Sequence, residues 1–487
     1  MRLIKDSFTI LLSNLVKQLV TIITGLLIPR ILGPSKSGML NGMRMILDWA
    51  SVSDFGTGNG LSKEIPYLRG RKTPETIPDL HNTVFTFMLV SSLLFSFILA
   101  VAIIRIDRTQ HFPSQFYYGS ILLAVFSPFV CVYQFLWGRL RADNAFTIIA
   151  RMQYVWAIIF AIMTLSLIWK CGLYGVLAGI IGAYVLSTSY GFYRSGYRFR
   201  FSLNKNVLFR MAKIGFPLTL AAFIPIVWLS IDRFIIGKFL GWEQLGLYAL
   251  GLEMAVYVCA LPAQFVHALV PRIYETAGYD PASVRKFIIK PTIILLFITM
   301  TLSLGIYLAV PFIVAQVYPS FMACLTSAKI LLISRSFMSL AIISGFVFAA
   351  FNKSYLLVIL QLTTLCLIGA FDYIAVANGW GIKGVAIASG TAVILYSMTS
   401  CFAAYYLPKR DFTGILRLIL PLFVIIVVFI SGVMLIDTIL PFKHADGSTE
   451  NLVYRMALYG ALVAALLLFL EKHTGIIQEI RSTYNLK

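Results

Sequence analysis

Charged side chains set inside long apolar runs carry most of the chemical information in this sequence. Lys17 stands in a run over 7–29 with Asn14 and Gln18 close by, and the next run, 39–62, holds Arg44, Asp48 and Asp54. Asp232 and Arg233 lie in a run over 213–237, Glu253 in one over 244–269, and Arg30 and Lys238 stand just past the ends of their runs. A charge at the centre of a hydrocarbon layer costs at least about 2.5–3.5 kcal/mol, so those that persist there are paired, hydrated or functional. Arginine suits a phosphate through the paired donors of its planar fork, and lysine acts as a point charge. Lys17, Arg30, Arg44, Arg233 and Lys238 are therefore candidates to hold an anionic group. Asp48, Asp54, Asp232 and Glu253 are candidates to bind a coupling proton or sodium ion, or to hold the cations when no anion is bound. Asp54 and Glu253 lead because neither has a basic neighbour in sequence. Structural ion pairing is the competing reading throughout, above all for the adjacent Asp232 and Arg233. Lys329, in a run over 321–349, is expected to pair with Asp372, while Arg335 has no evident partner in sequence.

No catalytic constellation accompanies these residues. The six cysteines and five histidines are dispersed and show no metal-ligand spacing, so neither a disulfide framework, a metal centre nor a cofactor is expected. The reading is a protein that binds and moves something rather than an enzyme.

The elements that must position these residues are membrane helices. The chain has 487 residues, of which 59% are hydrophobic and 12% charged, where a soluble domain carries about 25% charged residues. About fourteen apolar runs reach the roughly 20 residues that a helix needs to cross a hydrocarbon core. They are 7–29, 39–62, 82–105, 116–138, 146–169, 172–193, 213–237, 244–269, 289–315, 321–349, 354–376, 382–406, 415–437 and 452–470. The start, Met1-Arg2-Leu3-Ile4-Lys5, leads straight into a run that holds Lys17, so a retained first span rather than a cleaved leader is expected. Connections are short, leaving no room for a soluble catalytic domain.

The net charge of +20 is a statement about topology. With the N-terminus inside, most of the 40 basic residues fall in alternate connections. Examples are Lys63 to Lys72, Arg139 to Arg151, Arg194 to Lys213, Arg272 to Lys290, and Lys472 to Lys487. This bias places both termini in the cytoplasm. No basic domain stands clear of the apolar runs, so a nucleic-acid partner is not expected.

The chain also repeats itself across about 208 residues. Ile28-Pro29-Arg30-Ile31-Leu32-Gly33 aligns with Ile236-Gly237-Lys238-Phe239-Leu240-Gly241, and the same offset pairs Leu61 with Leu269, Ile65 with Ile273, Ala142 with Ala350, and Asn144 with Asn352. One residue further on, Gly172-Leu173-Tyr174-Gly175-Val176 pairs with Gly381-Ile382-Lys383-Gly384-Val385. Six spans per copy is an even number, so both copies insert the same way up, an arrangement found in parallel-repeat transporters. The expected organisation is a bundle over 1–193, a basic connection over 194–212, a second bundle over 213–407, and two further helices with a tail over 408–487. Spans 1, 2, 7 and 8 correspond in this frame, which concentrates the ionisable residues on helices expected to line one cavity. Trp49 and Trp228 are the rings that could stack there on sugars.

The stretch Asn14 to Asn41 resembles the polysaccharide flippases of the multidrug/oligosaccharidyl-lipid/polysaccharide exporter superfamily. So does Ile214 to Tyr248, through Gly215-Phe216-Pro217, Ile231-Asp232-Arg233, Leu240-Gly241 and Gly246-Leu247-Tyr248. The resemblance extends over the whole chain, including the 6+6+2 count of spans. It implies an all-α fold in which two six-helix bundles form a V that opens alternately to each side, with two extra helices free to cradle a lipid tail. It further implies translocation of an undecaprenyl-pyrophosphate-linked oligosaccharide between leaflets of the bacterial inner membrane. The partners implied are that lipid-linked oligosaccharide, membrane lipids, H+ or Na+, and polysaccharide polymerase and assembly proteins. The alternatives are a cation-coupled multidrug exporter of the same superfamily, a membrane glycosyltransferase or polymerase, and a non-transporting assembly scaffold. The mixture of bases and acids disfavours the first, and the duplication and short loops disfavour the second.

Overall fold

Backbone amides and carbonyls have no water to bond in a hydrocarbon core, so apolar runs of this length satisfy them within helices. The computed structural model describes residues 2–70, 77–197, 199–266, 269–409, 415–440 and 449–474. Arg71, Lys72, Arg198, Arg410, Arg481 and Lys487, counted among the inside charges, lie outside the described residues.

In the first half the helices are α1 (Arg2–Ala50), α2 (Thr57–Gly70), α3 (Ile77–Gln110), α4 (Ser114–Ala142), α5 (Phe146–Cys171), α6 (Leu173–Ser195) and α7 (Lys205–Phe239). They continue as α8 (Trp242–Val266), α9 (Val270–Tyr279), α10 (Lys286–Val317), α11 (Leu325–Ser336), α12 (Ser339–Ala350), α13 (Ser354–Ala377), α14 (Gly381–Tyr406), α15 (Leu416–Ile439) and α16 (Thr449–Thr474). No strand occurs among the described residues.

Twelve helical segments there are long and apolar enough to cross a membrane. The difference from fourteen has two sources. The 39-residue segment Leu12–Ala50 holds most of the first expected span and half of the second. Its single break is Gly33, whose φ of 74° lies in the left-handed region and is followed directly by Pro34. The other difference is α8, which is long but does not figure among the twelve. The second expected span also fails to run through to residue 62. Helix α1 stops at Ala50, the chain turns through 51–56 with Phe55 and Gly56 at positive φ, and α2 begins at Thr57. The expected span over 321–349 is likewise divided, into a 3-10 turn at Pro319–Cys324 followed by α11 and α12.

The duplication is written into the backbone. Gly33 and Gly241 have φ of 74° and 90°, Asn144 and Asn352 have 57° and 56°, and Gly172 and Gly381 have 54° and 60°. The asparagines close α4 and α12 in the same way. Ala145 N–H donates to the Leu140 carbonyl (2.9 Å) and Asn144 N–H to that of Arg141 (3.1 Å); Lys353 does so to Phe348 (2.7 Å) and Asn352 to Ala349 (3.1 Å). This is the paired bonding of a helix end closed by one left-handed residue, a conformation that asparagine tolerates.

Contacts divide the chain into two compact units, Met1–Gly237 and Lys238–Lys487. In the first, α5 packs on α6 and α1, and α3 on α4. A buried cluster of Leu61, Ile65, Leu80, Phe135 and Ala142 joins α2, α3 and α4. In the second, α8 and α10 pack on α11, and α13 on α14. Its cluster contains Ile273, Ile288 and Ile343, with Leu269 and Ala350 packed against it. These are the same five positions displaced by 208.

The second unit also contains a charge cluster. Lys329 Nζ lies 2.7 Å from Asp437 Oδ2 and 4.6 Å from the Tyr307 ring centroid, and Arg455 pairs with the other carboxylate oxygen. Lys329 thus finds its carboxylate on α15 rather than at the expected Asp372. This cluster ties α15 and α16 to α10 and α11.

Candidate functional site

A cavity of about 450 Å3 lies in the first unit, walled by α1, the 51–56 turn and α2, α3, α4, α5 and α7. Such a volume is within the usual range for a small-molecule site. Its titratable lining residues are Lys17, Asp54, Tyr133 and Arg141, joined by Ser51, Asn59, Gln134, Gln153, Thr219, Trp137 and Phe223.

Lys17 is held by aromatic faces. Its Nζ lies 4.4 Å from the Trp156 ring centroid and 5.6 Å from that of Tyr133. The electron-rich ring faces attract the ammonium ion, while the ammonium remains on the cavity wall. Trp156 is fixed in turn by stacking on Phe160, 5.1 Å away, and by an edge contact with Tyr184. At the other end of the α4 wall, the Arg141 guanidinium lies 5.3 Å from the Trp137 ring centroid. Two residues before it, Arg139 pairs with Asp143 at 3.6 Å and stands 4.1 Å over Tyr197. Burial pushes the Tyr197 phenol up to about 12, against the opposing pull of Arg139.

Asp54 borders the cavity, but both its oxygens are engaged. Oδ1 accepts from Gly56 N–H at 2.9 Å and Oδ2 from Gly58 N–H at 3.0 Å, and the side chain is only 7% exposed. These donors belong to the turn and to the first residues of α2, where helix amides have no partner in their own helix and the helix dipole favours a carboxylate. The local geometry makes Asp54 a helix cap. Gln153 is in the opposite condition. It is 4% exposed, and its Oε1 has no hydrogen-bond partner among the described residues.

Helices α2 and α7 meet through glycines at the edge of the cavity. A Cβ on Gly215 would lie 1.8 Å from the Gly56 carbonyl oxygen, and one on Gly60 would lie 2.4 Å from that of Met211. The close approach allows Asn59 Nδ2 to donate to Thr219 Oγ1 at 2.7 Å, and Arg210 lies 3.7 Å from Glu64 beyond it.

Three other candidates form a second group in the same unit. Arg44 and Asp48 on α1 and Arg233 on α7 interact electrostatically, with Tyr184 beside Asp48. All three charged groups are half-buried, whereas the neighbouring Asp232 is fully buried and Arg30 is exposed. In the second unit, Glu253 is half-buried on α8, and Lys238 is exposed with its Nζ 5.3 Å from the Phe239 centroid. Trp228 is buried, and neither it nor Trp49 borders the cavity. No cluster of three or more potential metal ligands occurs among the described residues.

A profile of the family described as polysaccharide biosynthesis protein matches residues 3–277, more than half of the chain. The chain belongs to that family. A Shigella flexneri protein that carries the name of an O-antigen transporter is 24% identical over 413 residues, covering 81% of this chain and 96% of its own length. Among solved structures, the lipid II flippase MurJ in an inward closed conformation superposes with a TM-score of 0.69 at 12% identity, covering 96% of this chain and 99% of its own. A multidrug resistance MATE transporter of the MOP superfamily in its inward-facing conformation gives 0.61 at 12% identity, covering 80% and 95%. This polysaccharide biosynthesis protein is therefore an all-α, multi-pass membrane protein with the fold of that transporter superfamily. Its cavity includes residues that the intramembrane charges do not point to: Tyr133, Gln134, Trp137 and Gln153, together with Arg141, which the charge pattern assigns to an inside connection. A signal for them was present, since Gln134 and Gln153 interrupt apolar runs and Arg141 has the uncharged Ala349 as its repeat counterpart.

Proposed function

We propose that this protein translocates an undecaprenyl-pyrophosphate-linked oligosaccharide, a unit of O-antigen, capsule or exopolysaccharide, from the cytoplasmic to the periplasmic leaflet by alternating access. The observation that carries the reading is the charge of the first-unit cavity. Lys17 and Arg141 face it, and its one acid, Asp54, is already engaged by two backbone amides. A net basic, polar, aromatic-lined cavity suits an anionic saccharide and disfavours the cationic drugs of the exporter reading.

The physical task is to carry a polar, charged head group through a core that excludes it while its polyprenyl tail stays in lipid. Cations and amides replace water around the head group. The Arg44–Asp48–Arg233 group offers further basic sites, with Arg30 and Lys238 as outer contacts. Asp48, Asp232 and Glu253 are the acids left to bind a coupling H+ or Na+. The membrane potential favours outward movement of an anion by about 2.3 kcal/mol per charge per 100 mV. In this reading the moving bundles are 1–193 and 213–407, joined by the basic 194–212 segment, and 408–487 adds two helices for the tail. Both termini are cytoplasmic, and polymerase and assembly proteins receive the product at the inner membrane.

The test uses a gene-deleted strain. Polyprenyl-pyrophosphate-linked saccharide should accumulate and surface glycan should fall, and wild type but not Lys17→Ala or Arg233→Ala should restore both. An unchanged intermediate together with increased sensitivity to cationic drugs would replace the flippase reading with the exporter reading.

A further inference from the structure

We propose that the sugar rings of the transported saccharide lie along one stripe of α4, with the diphosphate at its Arg141 end and the glycan reaching towards Lys17. This assignment rests on the flippase reading and adds to it a saccharide subsite and a direction of loading. Tyr133, Trp137 and Arg141 are spaced four residues apart, so they share one face of α4, and all three border the cavity. Lys17 stands over Tyr133 and Arg141 over Trp137, at 5.6 and 5.3 Å. Each of the two rings, about 6 Å apart along the helix at four residues of 1.5 Å each, therefore has its own cation over it.

The two cations differ in setting: Lys17 is enclosed by the Trp156 and Tyr133 rings, whereas Arg141 is exposed at the end of α4. One takes the phosphates, and the other faces what is attached to them. Arg141 fits the phosphates. Its guanidinium offers a bidentate fork, it is exposed, and it stands at the basic end of α4 where lipid phosphates enter in the proposed topology. The two rings offer apolar faces to the C–H faces of sugars. Gln153 supplies the most discriminating contact. Its buried, unpartnered Oε1 needs a donor, and an ionised phosphate has none to give. A sugar hydroxyl both donates and accepts, so it satisfies this amide in either orientation. Gln134 and Asn59 add further amides to the same cavity.

The second repeat supports the assignment independently. At the 208-residue offset, Tyr133, Trp137 and Arg141 become Ala341, Gly345 and Ala349, and Lys17 becomes Pro225. Core positions on the same helices are kept apolar, as in Phe135 with Ile343. The stripe is thus particular to the first repeat, where Tyr133 also packs edge-on against Tyr184.

The test is calorimetric titration of the full-length protein in nanodiscs with two probes. One is the repeat-unit oligosaccharide released by mild acid from the host's surface polysaccharide; the other is inorganic pyrophosphate. Wild type should bind both. Gln153→Ala should raise the oligosaccharide Kd about tenfold, the effect of one lost buried contact, and leave pyrophosphate binding unchanged, whereas Trp137→Ala, which also removes the ring beneath Arg141, should weaken both. Arg141→Ala should weaken pyrophosphate, and Trp137→Phe should retain most oligosaccharide binding. The unaffected probe in Gln153→Ala and in Arg141→Ala, and the binding retained by Trp137→Phe, report that these variants are folded. Oligosaccharide binding that is absent in wild type, or equal to wild type in both Gln153→Ala and Trp137→Ala, overturns the subsite. The deletion-strain phenotype decides the flippase reading separately, so a rescued strain with no saccharide binding refutes only the subsite.

Discussion

Replacing Asp54 separates a helix cap from an ion-coupling carboxylate. Two backbone amides depend on this side chain, Gly56 N–H at 2.9 Å and Gly58 N–H at 3.0 Å. Asp54→Ala removes the side-chain acceptor of both, and loss of a capping side chain costs about 0.5–2 kcal/mol. The loss falls on α2, a 14-residue helix, and helices below about 12–15 residues have little stability of their own. For a folding unit of this size, roughly 2–4 °C per kcal/mol gives a fall in Tm of roughly 1–8 °C. Asp54→Asn keeps one acceptor and turns an amide N–H2 towards the other donor, so its loss should fall between wild type and alanine. The assay is thermal unfolding by detergent size exclusion, run alongside rescue of surface glycan in the deletion strain. Stability and rescue should fall together, with Asn intermediate in both. An Asn variant as stable as wild type but unable to rescue would refute the capping argument and restore Asp54 as a coupling residue.

Gly215→Val should destabilise by about 1–3 kcal/mol or more, because its Cβ would meet the Gly56 carbonyl oxygen at 1.8 Å; a Tm equal to wild type would show that α2 and α7 do not cross this closely. Asp437→Asn removes the shared partner of Lys329 and of Arg455, which is 1% exposed. Stranding buried cations costs about 3–5 kcal/mol, so the variant should fail to survive extraction unless Arg455→Met is added. Asn144→Val and Asn352→Val should each cost about 1–2 kcal/mol, because a β-branched residue is strained in the left-handed region, whereas the glycine variants should stay close to wild type. Unequal losses in thermal unfolding would argue against equivalence of the two repeats.

The fold was largely legible in the sequence, because an apolar run of 20 residues has few alternatives to a membrane helix and a shared offset ties distant runs together. Asn144 and Asn352 illustrate this, since a match in letters became a match in φ and in hydrogen bonding. Helix interruptions were less legible. The turn after Ala50 follows from Asp54 and Gly56 acting together, and hydropathy is blind to a carboxylate that bonds backbone amides. Cavity membership was harder still. Of the nine residues that charge alone singles out, Lys17 and Asp54 border the cavity, and charge cannot tell which face of α4 or α5 is turned inward. Lys329 shows the same limit, since similar depth suggested Asp372 while lateral packing supplied Asp437.

The boundary at Gly237 also has a consequence for synthesis in the cell. The contacts that define the first unit, with its core cluster and its cavity, are made by residues that leave the ribosome before Lys238. At about 5–20 residues per second, the remaining 250 residues take roughly 12–50 s to make. During that interval the nascent chain can already hold a packed membrane body with a basic, water-accessible cavity. Substitutions in the first core are thus exposed to membrane quality control before the second core exists, whereas those in the second act on a chain already half assembled.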